Sequence, residues 1–307
     1  MQILHLRARR AAAAPGRDEA GIRLAATTGM TNHWIVGLDL NDRARGALVV
    51  AGWLARAADC VVGVHVLESW ARPHIRPDAI SAVHELVLRA TRELHITPPA
   101  CVSVREADRA EDGLAAAAVG TAGIVIGRAA PSSRPALIRL GVVARQLLRK
   151  LPCPVIVAPP DLTAIAPGPV LFATDLGPSV DQALVFAREL AATTGRPLAV
   201  VHVAEPRHHD LIDEHDPAWL AAREAHHAET TAALAEWAAL HELAEAPQHL
   251  EYGDPPTRIA AAAAELQAAI VVLGSRHLGL VARAFLSSTA SSLAGLAAAP
   301  VAVVPNA

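Results

Sequence analysis

The sequence predicts an α/β protein built from a doubly wound parallel sheet, present twice. Three observations carry that reading. Short aliphatic runs such as GIVIG (123–127), LAVVHV (198–203) and IVVLG (270–274) alternate with longer helical patterns, the order expected of strands buried on both faces by crossover helices. A chain of 307 residues is long enough for two ordinary domains, each with its own core. Finally, the landmarks of the first half recur, in order, in the second.

Residues 1–31 are Arg-rich and contain no long apolar stretch, so they read as a flexible leader, not a secretory signal. In the first repeat, 32–160, an apolar run ends at Asp39 and a helical pattern follows. A second run then ends in Val64-His65-Val66, a third in Gly127, and a Pro-Val strand, PCPVIVAP, closes the unit at 152–159. Residues 161–167 hold a proline in a short polar-apolar mix and read as a linker. The second repeat, 168–307, matches these landmarks with Asp175, Val201-His202-Val203, Gly274 and APVAVVP (299–305). The separation within a pair stays between 136 (175 − 39) and 147 (274 − 127) residues, which indicates duplication with small loop changes. In doubly wound sheets ligands sit beyond the carboxyl ends of the strands, and all these landmarks fall there.

Composition removes several function classes. Apolar residues make up 52%, yet no run reaches the roughly 18 residues a membrane span needs; IAAAAAELQAAIVVLG is interrupted by Glu265 and Gln267. A net charge of −3 and 3% aromatics leave neither an electrostatic nor a stacking footprint for nucleic acid. The three cysteines, Cys60, Cys101 and Cys153, have no metal-type spacing, read as core residues and suit a reducing cytoplasm. His208, His209 and His215 cluster in EPRHHDLIDEHD (205–216), but without the spacing of a defined metal site. That segment reads as a solvated loop, and His226, His227 and His241 read as the solvent side of a helix. No metal site and no catalytic residue is assigned: the chain has no Gly-x-Ser-x-Gly elbow and no Ser-Gly-Gly-x-Asp-Ser loop.

The ordered set of landmarks resembles a tandem universal stress protein over roughly 32–159 and 168–305. That family's domain opens with a strand ending in Asp, continues with one ending in His-Val, and carries Gly-x-x-Gly-x9-Gly-Ser/Thr before its last helix. The resemblance implies two Rossmann-like domains with five-stranded, mostly parallel sheets, the two last strands meeting in an intramolecular pseudo-dimer. It also implies a cytoplasmic stress-response role, a homodimer as one assembly, and adenine-nucleotide binding (ATP, with Mg) in many members.

A phosphate loop needs backbone N–H groups aimed at the anion, helped by a helix N-terminus and by glycines at positive φ. In the C-terminal half the pattern starts at Gly274 and Arg276 supplies charge. His277 takes the second Gly position, Ser287 the third, and Ser288 matches the Ser/Thr. In the N-terminal half Gly127 is kept and Ala130 replaces the second Gly. Gly141 arrives one residue late and Val142 replaces the hydroxyl. The resemblance places Asp39 and Asp175 near the ribose, and Val66 and Val203 where backbone faces adenine. Each Asp is equally suited to capping the following helix.

Two functions follow. One is regulatory binding of ATP without turnover, best supported in the C-terminal half through Asp175, Val203, Gly274, Arg276, Ser287 and Ser288, with Asp39, Val66, Gly127 and Gly141 as the N-terminal set. The other is a nucleotide-free module whose fold serves a protein partner. Slow ATP hydrolysis has no supporting residue.

Overall fold

The computed structural model describes residues 33–39, 44–56, 58, 60–70, 79–95, 99–129, 140–177, 181–204, 217–275 and 288–305. The first half runs β1 (His33–Leu38), α1 (Ala44–Leu54), β2 (Cys60–Glu68), α2 (Ala79–Leu94), β3 (Cys101–Ala107), α3 (Ala110–Ala117), β4 (Gly123–Gly127), α4 (Val142–Lys150) and β5 (Val155–Ala158). The second repeats the order with β6 (Val170–Thr174), α5 (Asp181–Thr194), β7 (Leu198–Ala204), α6 (Pro217–Leu240), β8 (Gln248–Tyr252), α7 (Pro255–Glu265), β9 (Ile270–Gly274), α8 (Ser288–Leu296) and β10 (Val301–Val304).

All ten strands join one sheet, in the order β3-β2-β1-β4-β5-β10-β9-β6-β7-β8. Within each half the five strands are parallel, with β1 next to β4 and β6 next to β9. The halves meet through β5 and β10, which pair antiparallel with Val301 opposite Val157 and Val303 opposite Val155. The two last strands therefore meet, as the resemblance implied. One consequence follows from the antiparallel join: the carboxyl ends of β1–β5 and those of β6–β10 lie on opposite edges of the doubled sheet.

Burial explains why these segments are strands. β5, β6 and β10 are buried throughout, and β4 and β9 are buried up to their terminal glycine. Central strands covered on both faces read as unbroken aliphatic runs. The outermost strands differ: Arg105 and Glu106 of β3 are exposed, and no residue of β8 is fully buried. Charged and polar edges of this kind resist pairing with further strands.

The helices divide between the faces. α1, α2, α5 and α6 build one core around Leu48, Val87, Phe172, Leu190 and Trp237. α3, α4, α7 and α8 build the other around Leu114, Leu147, Ile259 and Leu293. Trp34 of β1 meets Phe186 of α5 edge-on at 6.1 Å, so the first core crosses from half to half. α7 shows how local chemistry starts a helix. Asp254 accepts from the Thr257 N–H at 3.2 Å, and Pro255 and Pro256 occupy positions whose N–H groups have no helical partner.

Two expectations need adjusting. His226 of α6 and His241, just past its end, are half-buried, because α6 packs on β8 and an imidazole lies well against an aromatic ring. His226 stands edge-on to Tyr252 at 6.0 Å, and His241 stacks on Trp237 at 4.3 Å while donating to the Trp237 carbonyl. His227 is exposed as expected and bonds the Tyr252 hydroxyl at 3.1 Å. The three cysteines are free thiols, half-buried and not fully enclosed. The histidine-rich stretch 205–216 lies outside the described residues. Among the described residues no helix is long and apolar enough to cross a membrane.

Candidate functional site

Each half has its topological switch point between the first and fourth strands of its unit, where consecutive crossovers leave in opposite directions. In doubly wound sheets the ligand crevice opens at such a point, outside the carboxyl ends of the strands.

In the C-terminal half β6 ends at Thr174, which is buried, and Asp175 follows, exposed. Asp175 Oδ1 accepts from the Gly177 N–H at 3.0 Å, an Asx turn that folds the chain back on itself at the strand end. That bond is made two residues on. Between them Leu176 has φ = 60°, unusual for a bulky residue, and its N–H donates to Thr174 Oγ1 at 3.0 Å. Neighbouring β7 contributes His202, whose Nδ1 lies 2.9 Å from the Thr174 carbonyl; since a carbonyl only accepts, Nδ1 carries the proton. Val203 follows in β7, half-buried and paired with Glu251.

Gly274 closes β9, in register with Val304 of β10, and the Ser275 N–H then donates to the Val304 carbonyl at 2.8 Å. Ser288 is the first residue of α8. Arg276 and Ser287, together with His277, lie outside the described residues. The structure thus brings Asp175, Val203, Gly274 and the first residue of α8 to the carboxyl side of one half.

The N-terminal half repeats the arrangement. Asp39 follows β1 and is half-buried. His65 of β2 donates from Nδ1 to the Leu38 carbonyl at 2.8 Å, the counterpart of His202 and Thr174. Val66 lies in β2, opposite Arg105 of β3, and its methyl groups sit against Gly113 of α3. A Cβ on Gly113 would approach them to 2.8 and 2.9 Å, so glycine is what lets α3 lie this close. Gly127 ends β4.

Gly141 is the N-cap of α4 at φ = 76°, and a Cβ there would fall 2.7 Å from the Ala129 Cβ. The third glycine of the pattern is therefore demanded twice, by the left-handed backbone and by the close approach. It joins the loop after β4 to the start of α4. Gly141 has no side chain to cap that helix N-terminus, whose first N–H groups have no partner within the helix.

In the sequence the two histidines are landmarks without a role, marked by their recurrence in two Val-His-Val runs. Arg128, which follows Gly127, carries no signal there and is fully buried against the other half. Among the described residues no group of three or more His, Cys, Asp or Glu could hold a metal ion.

A model of the universal stress protein family matches residues 30–159 and again residues 168–305. Among solved structures, a universal stress protein from Archaeoglobus fulgidus DSM 4304 is 21% identical, with a TM-score of 0.58, over 91% of this chain and 100% of that one. A functionally unknown protein from Pseudomonas aeruginosa PAO1 is 18% identical, with a TM-score of 0.62, over 90% of this chain and 93% of that one. No curated protein sequence matches the chain.

Proposed function

Because the chain belongs to the universal stress protein family, carrying the domain twice, we propose that it binds an adenine nucleotide, ATP, at the carboxyl ends of its strands. The nucleotide serves regulation of a stress response in the cytoplasm and is not turned over. The domains are taken as 32–160 and 168–307, joined by 161–167. The C-terminal half is the better binder, using Asp175, Val203, Gly274, Arg276, Ser287 and Ser288. The N-terminal half offers Asp39, Val66, Gly127 and Gly141.

One observation carries the reading. At the switch point of the C-terminal half an exposed carboxylate, Asp175, stands just past β6 while Gly274 ends the adjacent β9. A carboxylate there suits a ribose hydroxyl, and a glycine strand end leading to a helix N-terminus suits phosphates. When bound, ATP with Mg would bring a triphosphate to be held; the chain's part is to bind and orient it.

The second reading is a nucleotide-free module acting on a protein partner, alone or as a homodimer. It is favoured by Ala130 and His277, which take the second glycine position of the two loops. The deciding experiment denatures natively purified protein, identifies released nucleotide by mass spectrometry, and titrates ATP with magnesium into the emptied protein by calorimetry. One or two nucleotides per chain, abolished by Gly274→Asp in the C-terminal half, supports the proposal. No nucleotide and no heat at millimolar ATP would leave the partner-binding reading.

A further inference from the structure

Arg128 follows Gly127 at the carboxyl end of β4, and its side chain is 0% exposed. From Nη1 it donates to the carbonyls of Gly295 at 2.6 Å, Ala297 at 3.2 Å and Ala294 at 3.5 Å, all at the carboxyl end of α8 in the other half. The last carbonyls of a helix lack partners within it and form the negative end of its dipole. A cation suits them, and here one guanidinium nitrogen, Nη1, makes all three bonds; α8 ends in Ala294, Gly295 and Leu296, with Ala297 next, and these mostly small side chains admit a guanidinium.

The duplicated fold shows what stands at the mirror position. The Arg128 N–H donates to the Ala158 carbonyl at 2.9 Å, and the Ser275 N–H donates to the Val304 carbonyl at 2.8 Å, so Ser275 holds the place of Arg128 in the second half. α4 and α8 are both nine residues long and lead to Pro154 and Pro300. On that correspondence Ala294, Gly295 and Ala297 match Leu148, Arg149 and Leu151. The last turn of α4 is basic, with Arg149 and Lys150.

We propose that Arg128 makes the pairing of the halves selective: the β4–β5 side of the N-terminal half accepts the C-terminal half and rejects a second N-terminal half. Two N-terminal halves joined through β5 would set each Arg128 against the Leu148-Arg149-Leu151 end of α4, where bulk and like charge oppose it. Two C-terminal halves would set Ser275 against α8 and leave its carbonyls without a cation. Only the unlike pair matches cation to carbonyls. The selectivity concerns how the chain closes on itself and does not depend on nucleotide.

The test compares full-length wild type, Arg128→Ser, Arg128→Lys, Ser275→Arg and Ser275→Arg/Arg149→Gly by urea unfolding and by light scattering over a concentration series. Arg128→Ser is expected to lower the folded-to-unfolded ratio at least about tenfold, because charge-assisted bonds to buried carbonyls are lost. Species heavier than wild type should then grow with concentration, as released β5 and β10 edges pair between chains. Arg128→Lys should fall between the two. Ser275→Arg should destabilise, and Arg149→Gly in the same chain should restore stability. An Arg128→Ser protein with wild-type midpoint and mass overturns the proposal, as does stabilisation by Ser275→Arg alone. Should Arg128→Ser fail to fold, the two Ser275→Arg variants decide.

Discussion

His202 donates its Nδ1 proton to the main-chain carbonyl of Thr174, 2.9 Å away, on the strand paired beside it. His65 and Leu38 repeat the relationship at 2.8 Å in the other half. In both, the imidazole secures the last carbonyl of a strand immediately before the aspartate at the switch point. Both residues stand at the last rung of their pairing, where this side chain gives the carbonyl a partner. The position of Asp175 then depends on a residue of the neighbouring strand.

Removing that bond has two readouts. His202→Ala is expected to cost about 1–2 kcal/mol in urea unfolding, because the Thr174 carbonyl loses its partner. ATP binding in the C-terminal half should weaken as Asp175 shifts. His202→Asn keeps an N–H donor near the same place and should recover most of both. Equal loss in the Asn and Ala variants would show that ring packing, and not the hydrogen bond, is what matters.

Gly141 faces two separate constraints, and they can be separated. Gly141→Ala is expected to destabilise by about 1–3 kcal/mol, since an L-residue is forced to φ = 76° and meets Ala129. Ala129→Gly in the same chain removes the contact but not the backbone cost. A double-mutant cycle in denaturant should therefore show partial recovery. Full recovery would mean that the contact alone demands glycine.

Gly113 is the seat of Val66. A Cβ there would press on both Val66 methyl groups and come within 3.2 Å of the Ala107 Cβ. Gly113→Ala should lift α3 from β2 and cost about 1–3 kcal/mol by overpacking. Val66→Ala should relieve it. Because the disturbance lies in the N-terminal half, ATP binding by the C-terminal half should be unchanged in the same calorimetric titration.

Cys153 carries a pH prediction. Burial pushes its thiol up from 9.0 to about 11, opposed in part by a hydrogen bond from the Ile124 backbone. The unfolded chain releases this proton first, so the contribution to stability is complete below pH ~9 and is lost as pH rises towards ~11. The loss is on the order of 2 kcal/mol. Comparing wild type with Cys153→Ala, the difference in urea midpoint should change across that window and stay flat below it. A constant difference from pH 7 to 11 would remove the assignment. At neutral pH the native thiol should also react slowly with a disulfide reagent.

Much of the fold was legible in the sequence because its causes are local. A strand covered on both faces must be aliphatic along its length, so GIVIG and IVVLG announce β4 and β9. Duplication then placed Asp39 with Asp175 and Gly127 with Gly274 at matching strand ends, and the structure brings each pair there. Gly141 was legible for a similar reason, since few residues other than glycine occupy its backbone angles without cost.

What the tertiary structure alone decided are partnerships across long stretches of chain. Nothing local distinguishes Arg128 from a solvated loop arginine; its acceptors lie 166 to 169 residues away, and burial against α8 assigns them. The Val-His-Val repeat marked His65 and His202, but only the register of β1 with β2 and of β6 with β7 puts each ring beside a strand-end carbonyl. His226 carries helix-surface spacing, yet the packing of α6 on β8 sets it against Tyr252. Residue type and periodicity record which face of an element is buried. Which group meets it there is settled by how the elements pack, and in this chain that packing joins two similar halves through β5 and β10 and sets Arg128 of the first against the end of α8 in the second.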